Sequence, residues 1–393
     1  MTKFKRSAPF DAVLLIAFGG PGAREDIRPF LQNILQGRPV PPGRIEEVAR
    51  IYERYDGISP LPEITFRQAV ALAGLLKESG IPLPVYVGMR CWPPYLTETL
   101  SKMARDGVRR AIGIVASPFH SPASCLVYKQ AVAEARRRLR ESGDHDIAVT
   151  YVDSWYNHPG FTAAHVERIR QALAKLAHEA RPNARIVFSA HSIPMEMAKR
   201  CRYREQLAEA AGLITDGLTG DVLCGELLRS PGGTFNRNPP EADYGSGYRE
   251  RVDSSHGESP PECNQKGAVS GRGRKRAGDR RLGHAIVYQS RSGRPEDPWL
   301  EPEVCSYLRA EHEKGLSAVV LSPLGFLTEH IEVMYELDER ATGLCRELNI
   351  PVVRAAALND EPGFIAMLTD IVQRTCTRYR EAIPLPLMAV AGN

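Results

Sequence analysis

Short apolar segments alternate with segments of helical periodicity along this chain, and they do so twice. Runs rich in Val, Ile, Leu and Phe and bounded by Gly or Pro predict buried strands. Such runs lie at 13–18, 85–88, 111–115 and 148–152, and again at 185–188, 284–288, 318–321 and 352–354. Helical periodicity covers 66–78, 123–139, 166–178, 304–313 and 339–348. Strands separated by helices form parallel βαβ units with right-handed crossovers, so we predict an α/β protein with two similar, doubly wound domains and a cleft between them.

The length of the chain supports two domains. Its 393 residues contain 43% hydrophobic side chains, enough for a large core. We predict an N-terminal domain at 1–158, a C-terminal domain at 159–380 and a tail at 381–393. Within the second domain, 216–282 is rich in Gly, Pro, Ser and charge, so we predict a disordered insertion that cannot bury enough surface to order itself. Its basic run at 272–281 leaves RNA or anionic lipid open as a partner, although a solvated segment is the preferred interpretation.

Charge and hydropathy exclude several classes of protein. A net charge of +4 over this length predicts no nucleic-acid partner, and no stretch is apolar for long enough to span a membrane. The short apolar run before Gly19 ends in a turn sequence and not in a signal-peptide cleavage site, so we expect a cytoplasmic protein. The turn at Gly19, Gly20 and Gly22 fits neither GxGxxG nor GxxxxGK, which disfavours a nicotinamide oxidoreductase.

The cysteines give no sign of a disulfide framework or a zinc site. No two of them form a CxxC pair, so buried or unreactive thiols are expected. The eight cysteines are at positions 91, 125, 201, 224, 263, 305, 345 and 376.

A histidine and a set of acids follow two of the predicted strands. In IVFSAHSIP, His191 comes at the carboxyl end of a strand, where open α/β sheets bind ligands. In SPLGFLTEHIEVMYELDER, Pro323 and Gly325 end a strand, and we predict that Thr328 is the N-cap of a helix that places Glu332 and Glu336 on one face.

These residue types suit a site that binds a metal loosely and collects protons. Imidazole and carboxylate are ligands of borderline divalent ions such as Fe²⁺, and both accept protons near neutral pH. A satisfied loop histidine and a solvated acidic helix face explain the same pattern, so spacing alone leaves both interpretations open.

The two segments resemble the active-site signatures of the ferrochelatases, which insert ferrous iron into a porphyrin. Five further segments resemble blocks of that family and occur in the family order: LLIAFGGPG from Leu14, YDGISPLPEIT from Tyr55, GMRCWPPYL from Gly88, VDSWYNHPGF from Val152 and YQSRSGRPEDPWLEP from Tyr288. The resemblance runs from about residue 11 to about residue 372, apart from the insertion. It implies two Rossmann-like domains without a bound dinucleotide, and the release of two protons as iron enters the macrocycle.

The resemblance also implies roles for the acids and the histidine. His191 is the expected base and metal contact, and Glu332 opposite it would pair with the imidazolium, hand over iron, or do both. Glu336 and Asp338 would extend an acidic track for metal entry or proton exit. Relatives often continue this track with an acid one turn further along, where this chain has Arg340.

The resemblance also implies which residues contact the porphyrin. They lie in the first half of the chain, the last of them near its border: Phe18, Tyr52, Ser59, Tyr128 and Trp155. Phe18 stands where some relatives have a tyrosine that ligates product iron, so that ligation is not expected. Leu35 and Ile51 stand where some relatives have propionate-binding arginines, and Arg38, Arg50 and Arg54 are the alternatives nearby.

Cofactors and partners follow from the same resemblance. We expect no tightly bound cofactor, Fe²⁺ and a porphyrin as substrates, and a monomer. Some ferrochelatases hold a [2Fe-2S] cluster on cysteines of a C-terminal extension, but no cysteine follows Cys376, so no cluster is expected. Protoporphyrin IX and coproporphyrin III both remain open as substrate. A chelatase that loads cobalt or nickel into another tetrapyrrole, and a tetrapyrrole carrier without activity, are the alternatives.

Overall fold

Two four-stranded parallel sheets form the frame of the molecule. The structure is a computed structural model that describes residues 9–35, 43–218, 282–292 and 296–381. The predicted insertion lies outside these ranges from 219 to 281, and the tail lies outside them from 382. The strands within them are β1 Ala12–Ala17, β2 Val85–Met89, β3 Arg110–Val115, β4 Ala148–Tyr151, β5 Arg185–His191, β6 His284–Gln289, β7 Val319–Ser322 and β8 Val352–Arg354.

The two sheets share one topology. The strand order is β2-β1-β3-β4 in the first and β6-β5-β7-β8 in the second, so the first strand of each half is central. Every pairing is parallel, with Val13 opposite Val85 in the first sheet and Ile186 opposite His284 in the second. Parallel strands place their carboxyl ends at one edge. Each half therefore gathers the loops after its strands along a single edge, as predicted.

Helices cover both faces of each sheet. They are α1 Ile27–Leu35, α2 Arg44–Glu53, α3 Leu61–Glu78, α4 Leu96–Arg105, α5 Val127–Glu141, α6 Pro159–Leu173, α7 Met195–Ala198, α8 Tyr203–Gly217, α9 Val304–His312, α10 Ile331–Val333, α11 Thr342–Glu347 and α12 Pro362–Glu381. Two segments with the wider π-helical hydrogen bonding, Pro122–Leu126 and Met334–Ala341, precede α5 and α11. No helix in the described part of the chain is both long and apolar enough to cross a membrane.

The alternation of side chains along the central strands divides the core. Leu14 and Ile16 of β1 pack on one face of the first sheet with α4 and α5, whereas Val13 and Leu15 point to the other face. That second face belongs to one large cluster that also contains Phe188 of β5. The hydrophobic core is therefore continuous from one sheet to the other. The predicted domain boundary near residue 158 falls just before α6, and it stays a prediction.

Three predicted helices have different limits in the structure. The helix predicted at 166–178 is α6, which begins at Pro159 because the His158 side chain accepts a hydrogen bond from the Gly160 amide as N-cap. The helix predicted at 66–78 begins at Leu61, after Pro60. The helix predicted at 339–348 begins earlier and ends at Glu347, because helical turns run without a break from α10 at Ile331 through the π-helical segment into α11.

Candidate active site

His191 is the last residue of β5 and lies at the carboxyl edge of the second sheet. The loop after β7 reaches it because Gly325 has no side chain: a Cβ there would lie 2.7 Å from the Cα of Ala190. The Gly325 amide donates to the Ser189 carbonyl at 2.9 Å, which fixes the loop to β5. Phe326 then lies beside the imidazole, with 6.5 Å between ring centroids. The predicted strand break at Pro323 and Gly325 is confirmed, and it brings the two motifs together.

One ring nitrogen of His191 forms a hydrogen bond with the backbone. Nδ1 lies 2.5 Å from the Ser192 carbonyl oxygen, and a carbonyl only accepts hydrogen bonds, so Nδ1 carries the hydrogen. In the neutral imidazole the lone pair is then on Nε2. Nε2 lies 3.9 Å from Oε2 of Glu332, and the two side chains are 42% and 37% exposed. The nitrogen that can bind a proton or a metal is thus the one that faces the acid.

The 3.9 Å gap between His191 and Glu332 is chemically informative. It is too long for a direct hydrogen bond. A first-row divalent ion with bonds of about 2.0–2.2 Å can touch both atoms. Within the described ranges no group of three or more His, Cys, Asp and Glu side chains could hold a metal ion, so the pair has no third such ligand there.

The helix that carries Glu332 differs from the prediction. Thr328 is not its N-cap: the N-cap position is taken by His330, whose backbone is extended, and α10 begins at Ile331. Only three residues later it widens into the π-helical segment Met334–Ala341. Hydrogen bonds in a π-helix run from i to i+5, so the turn between Glu332 and Glu336 is wider than in an α-helix. The negative charge of Glu332 is still among the causes that raise the pKa of Glu336, after burial. The expectation that Glu332 and Glu336 share one helix face stays a prediction.

The other acids of this segment each contact an arginine. Oε2 of Glu336 accepts from Arg340 at 2.5 Å, and burial raises the pKa of Glu336. The carboxylate of Asp338 accepts two hydrogen bonds from Arg354 at the end of β8, at 2.5 and 2.9 Å. These are the residues expected to extend an acidic track. Their role in metal entry stays a prediction, and the structure gives each of them a fixed cation.

The next acid of the segment binds the first half of the chain. Arg54 and the Tyr55 hydroxyl, which follow α2, both donate to Glu339. Arg54 also lies over the ring of Tyr335. Because its guanidinium is used in this contact, Arg54 is a weaker alternative for a porphyrin propionate than the sequence suggested.

The carboxyl edge of the first sheet is aromatic. Phe18 follows β1, Arg90 follows β2, and Tyr128 lies in the first turn of α5. The Arg90 guanidinium lies over both rings, 5.3 Å from the Phe18 centroid and 5.9 Å from that of Tyr128. At these distances a cation is attracted to the ring faces. Two predicted porphyrin contacts are thus brought together around one arginine.

Tyr52 connects this edge to the acid. It lies in α2 and packs in one cluster with Phe30 and with Ile331, the residue before Glu332. Burial, followed by the negative charge of Glu332, raises the pKa of Tyr52 well above its usual value. Ser59 is buried over the glycine turn, where a Cβ on Gly20 would meet its hydroxyl at 2.7 Å. The buried cluster around Tyr52 therefore extends from Phe18 at the aromatic edge to the residue before Glu332.

Comparison with known proteins identifies the family. The family model described as Ferrochelatase matches residues 10–226 and 263–376, most of the chain. The chain belongs to the ferrochelatase family.

Relatives and a solved structure cover nearly the whole chain. A Streptomyces griseus protein named coproporphyrin III ferrochelatase is 33% identical over 388 residues, covering 98% of this chain and 90% of the relative. A Rhodopirellula baltica protein named ferrochelatase is 33% identical over 374 residues, covering 95% and 88%. The solved structure of SirB from Bacillus subtilis with Fe³⁺ has a TM-score of 0.49 and 9% identity and covers 94% of this chain and 96% of that one.

One residue of the family pattern, Trp155, is buried in the core. Trp155 is 5% exposed and packs against Phe161 and Phe364, with ring centroids 5.5 and 5.9 Å away. One edge of it lines a cavity of only about 20 Å³ beside Lys129. Its predicted role as a porphyrin contact is untested, and its surroundings are those of a core residue.

Two residues at the site were missed when the sequence was taken alone. Arg90 stood inside a quoted family block, but only the fold shows that it lies between Phe18 and Tyr128. Its buried Nε has no hydrogen-bond partner among the described residues. His330 lies beside Phe326, with 5.0 Å between ring centroids, and burial lowers its pKa. Its position directly before the acid motif was the available signal.

Proposed function

We propose that this protein is a ferrochelatase that inserts Fe²⁺ into coproporphyrin III, with His191 as the base and Glu332 as its partner at the metal. The observation that carries the proposal is the 3.9 Å approach of His191 Nε2 to Glu332 beside an aromatic edge. A base with its lone pair held toward a carboxylate meets both needs of porphyrin metallation, which are removal of pyrrole protons and delivery of iron.

In the proposed reaction, His191 and Glu332 have separate roles. Two pyrrole hydrogens leave as protons while iron takes their place on the nitrogens. Nε2 of His191 accepts a proton, and the Ser192 carbonyl, as acceptor from Nδ1, keeps the ring in place as it becomes an imidazolium. Glu332 stabilises that charge, hands over iron, or does both. The His191 side chain is 42% exposed, so it can release the first proton to water and then accept the second.

The choice of coproporphyrin III rests on relatives and on charge. The proteins from Streptomyces griseus, Streptomyces coelicolor and Mycolicibacterium smegmatis are all named coproporphyrin III ferrochelatases. Coproporphyrin III carries propionates where protoporphyrin IX has vinyl groups, so it needs more cationic contacts. Arg90, whose buried Nε has no partner, is positioned to give one of them while Phe18 and Tyr128 stack on the macrocycle.

Two further points belong to the proposal. A cytoplasmic location is supported by the free cysteines of the described residues, because disulfides mark oxidising compartments. The monomeric state and the lack of a [2Fe-2S] cluster stay predictions. Sedimentation would test the first, and the visible absorption spectrum of the purified protein the second.

The test is an anaerobic assay of the full chain with Fe²⁺ and each porphyrin in turn. Loss of porphyrin fluorescence measures the rate of metal insertion. We expect kcat/KM to be higher for coproporphyrin III than for protoporphyrin IX. Higher kcat/KM with protoporphyrin IX would overturn the substrate assignment. Absence of metallation with either would overturn the proposed function.

A further inference from the structure

Arg340 lies between two carboxylates on the wall of the cleft that carries Glu332. Its Nη1 lies 2.5 Å from Oε2 of Glu336 and 3.6 Å from Oε1 of Glu303. The Glu336 side chain is only 14% exposed. The Arg340 side chain is 42% exposed, so the two partners differ in burial. Loss of Arg340 would leave the Glu336 carboxylate largely buried without its counter-ion.

The second carboxylate is held in place independently of Arg340. Glu303 is the N-cap of α9, and its Oε2 accepts from the Ser306 amide at 2.9 Å and from the Ser306 hydroxyl at 3.1 Å. Its other oxygen, Oε1, is buried and has no hydrogen-bond partner among the described residues. That oxygen faces Arg340. The capping interaction therefore aims one carboxylate oxygen at the guanidinium and keeps it there.

Removal of the guanidinium would leave the largely buried carboxylate of Glu336 and the capping carboxylate of Glu303 without the cation that now lies between them. Like charges so placed repel each other unless a cation separates them or one of them takes a proton. Carboxylate oxygens are also the ligands of hard and borderline divalent ions. A protein that handles Fe²⁺ at Glu332, one turn earlier in the same helical segment, would then hold a second ion at Glu336 and Glu303.

We propose that Arg340 is a built-in counter-cation that prevents Glu336 and Glu303 from binding a divalent ion, so that iron reaches His191 and Glu332 without first being held at Glu336. This inference rests on the proposed function, because it takes iron to be the substrate. It shortens the acidic track expected from the sequence and makes Arg340 a positioning residue that acts through Glu336. Iron is then retained by two ligands, which favours its release to the porphyrin.

The test measures Co²⁺ binding to the full chain by calorimetry without porphyrin, so it is independent of ferrochelatase activity. We expect Arg340→Gln to gain a Co²⁺ site about tenfold tighter than any in the wild type. Arg340→Lys, which keeps the charge, should bind as the wild type does. Arg309→Gln is the matched control, because it removes one positive charge from the exposed surface of α9. The double variant Arg340→Gln/Glu336→Gln should lose the new site.

Steady-state kinetics gives a second readout. In Arg340→Gln we expect KM for iron to fall severalfold and kcat to fall with it, because the ion must leave a tighter site before it reaches the porphyrin. Circular dichroism would check the fold, and Arg340→Met repeats the test should the Gln variant unfold. Equal Co²⁺ binding by Arg340→Gln and Arg309→Gln would overturn the proposal. A new site that survives Glu336→Gln would overturn it too. An inactive wild type would refute only the proposed function, since the Co²⁺ titration still tests Arg340.

Discussion

The two halves of the molecule have the same strand order but opposite chemistry at their carboxyl edges. In the first half that edge presents Phe18 and Tyr128 with Arg90 between them. In the second it presents His191 and Glu332. The first set offers flat surfaces and a positive charge, and the second a proton acceptor and a negative charge. Under the proposed function, one fold used twice separates binding of the macrocycle, at the first edge, from reaction with it, at the second.

The largest effect should come from the second half. His191→Ala removes the acceptor of the pyrrole proton, so we expect kcat to fall by about 10³-fold, within the range for loss of a general base. KM for the porphyrin should change little, because the aromatic edge is intact. Anaerobic steady-state kinetics measures both values. His178→Ala is the control, an exposed histidine in the segment that leads into the amino end of β5, whereas His191 lies at its carboxyl end. Near-normal kcat in folded His191→Ala would remove the base from the proposed mechanism.

Glu332→Gln should give the next largest effect. Glutamine keeps the size of the side chain and loses its charge, so the imidazolium of His191 loses its counter-ion, and kcat should fall by about 10²-fold. The rate of the chemical step is measured in a single turnover with the enzyme in excess over the porphyrin, and KM is measured in the steady state. If Glu332→Gln only raised KM for the porphyrin, Glu332 would contribute to porphyrin binding and not to the reaction. The proposed division of roles between the two sheet edges would then be wrong.

Arg90→Met tests the first half. The substitution keeps an apolar stem against Phe18 and Tyr128 but removes the charge that we assign to a propionate. KM for coproporphyrin III should rise about tenfold, since a hydrogen bond to a charged group is worth about 1.5–3 kcal/mol. Fluorescence quenching of the porphyrin without iron measures the same loss as a dissociation constant. A fall in kcat at constant KM would show that Arg90 takes part in the reaction instead.

The smallest effect on activity should follow from Trp155→Phe. Trp155 packs in the core against Phe161 and Phe364, so the smaller ring should cost about 1–2 kcal/mol of stability. KM for the porphyrin should stay within about twofold of the wild type. Thermal unfolding and the same kinetic assay measure the two quantities. A large rise in KM without a loss of stability would restore Trp155 to the porphyrin contacts.

The strands could be predicted from the sequence because their signal is local. All eight predicted strands are present within two residues at their amino ends, since apolar runs with turn residues at their borders depend on neighbouring positions alone. The approach of His191 to the acid segment was also predictable, because parallel strands end at one edge.

The parts that could not be predicted depend on distant partners. In the sequence, Asp338 is one of several closely spaced acids. Only the fold brings Arg354 of β8 close enough to pair with it. Glu339 pairs with Arg54, which is 285 positions away. The π-helical widening after Val333 leaves no periodicity that distinguishes it from an α-helix in so short a segment. Arg90 gives no sign in the sequence that it lies between two rings.

The continuous hydrophobic core affects how the molecule unfolds. Val13 of the first sheet and Phe188 of the second belong to one buried cluster, and α12 packs against both α3 and α6. Unfolding of either half would expose apolar surface of the other half to water. The two sheets should therefore melt as a single cooperative unit, and either half expressed alone should fail to fold. Although the halves repeat one architecture, neither is an interchangeable module, and a chimera that exchanges one half between relatives must also match the buried surface that joins them.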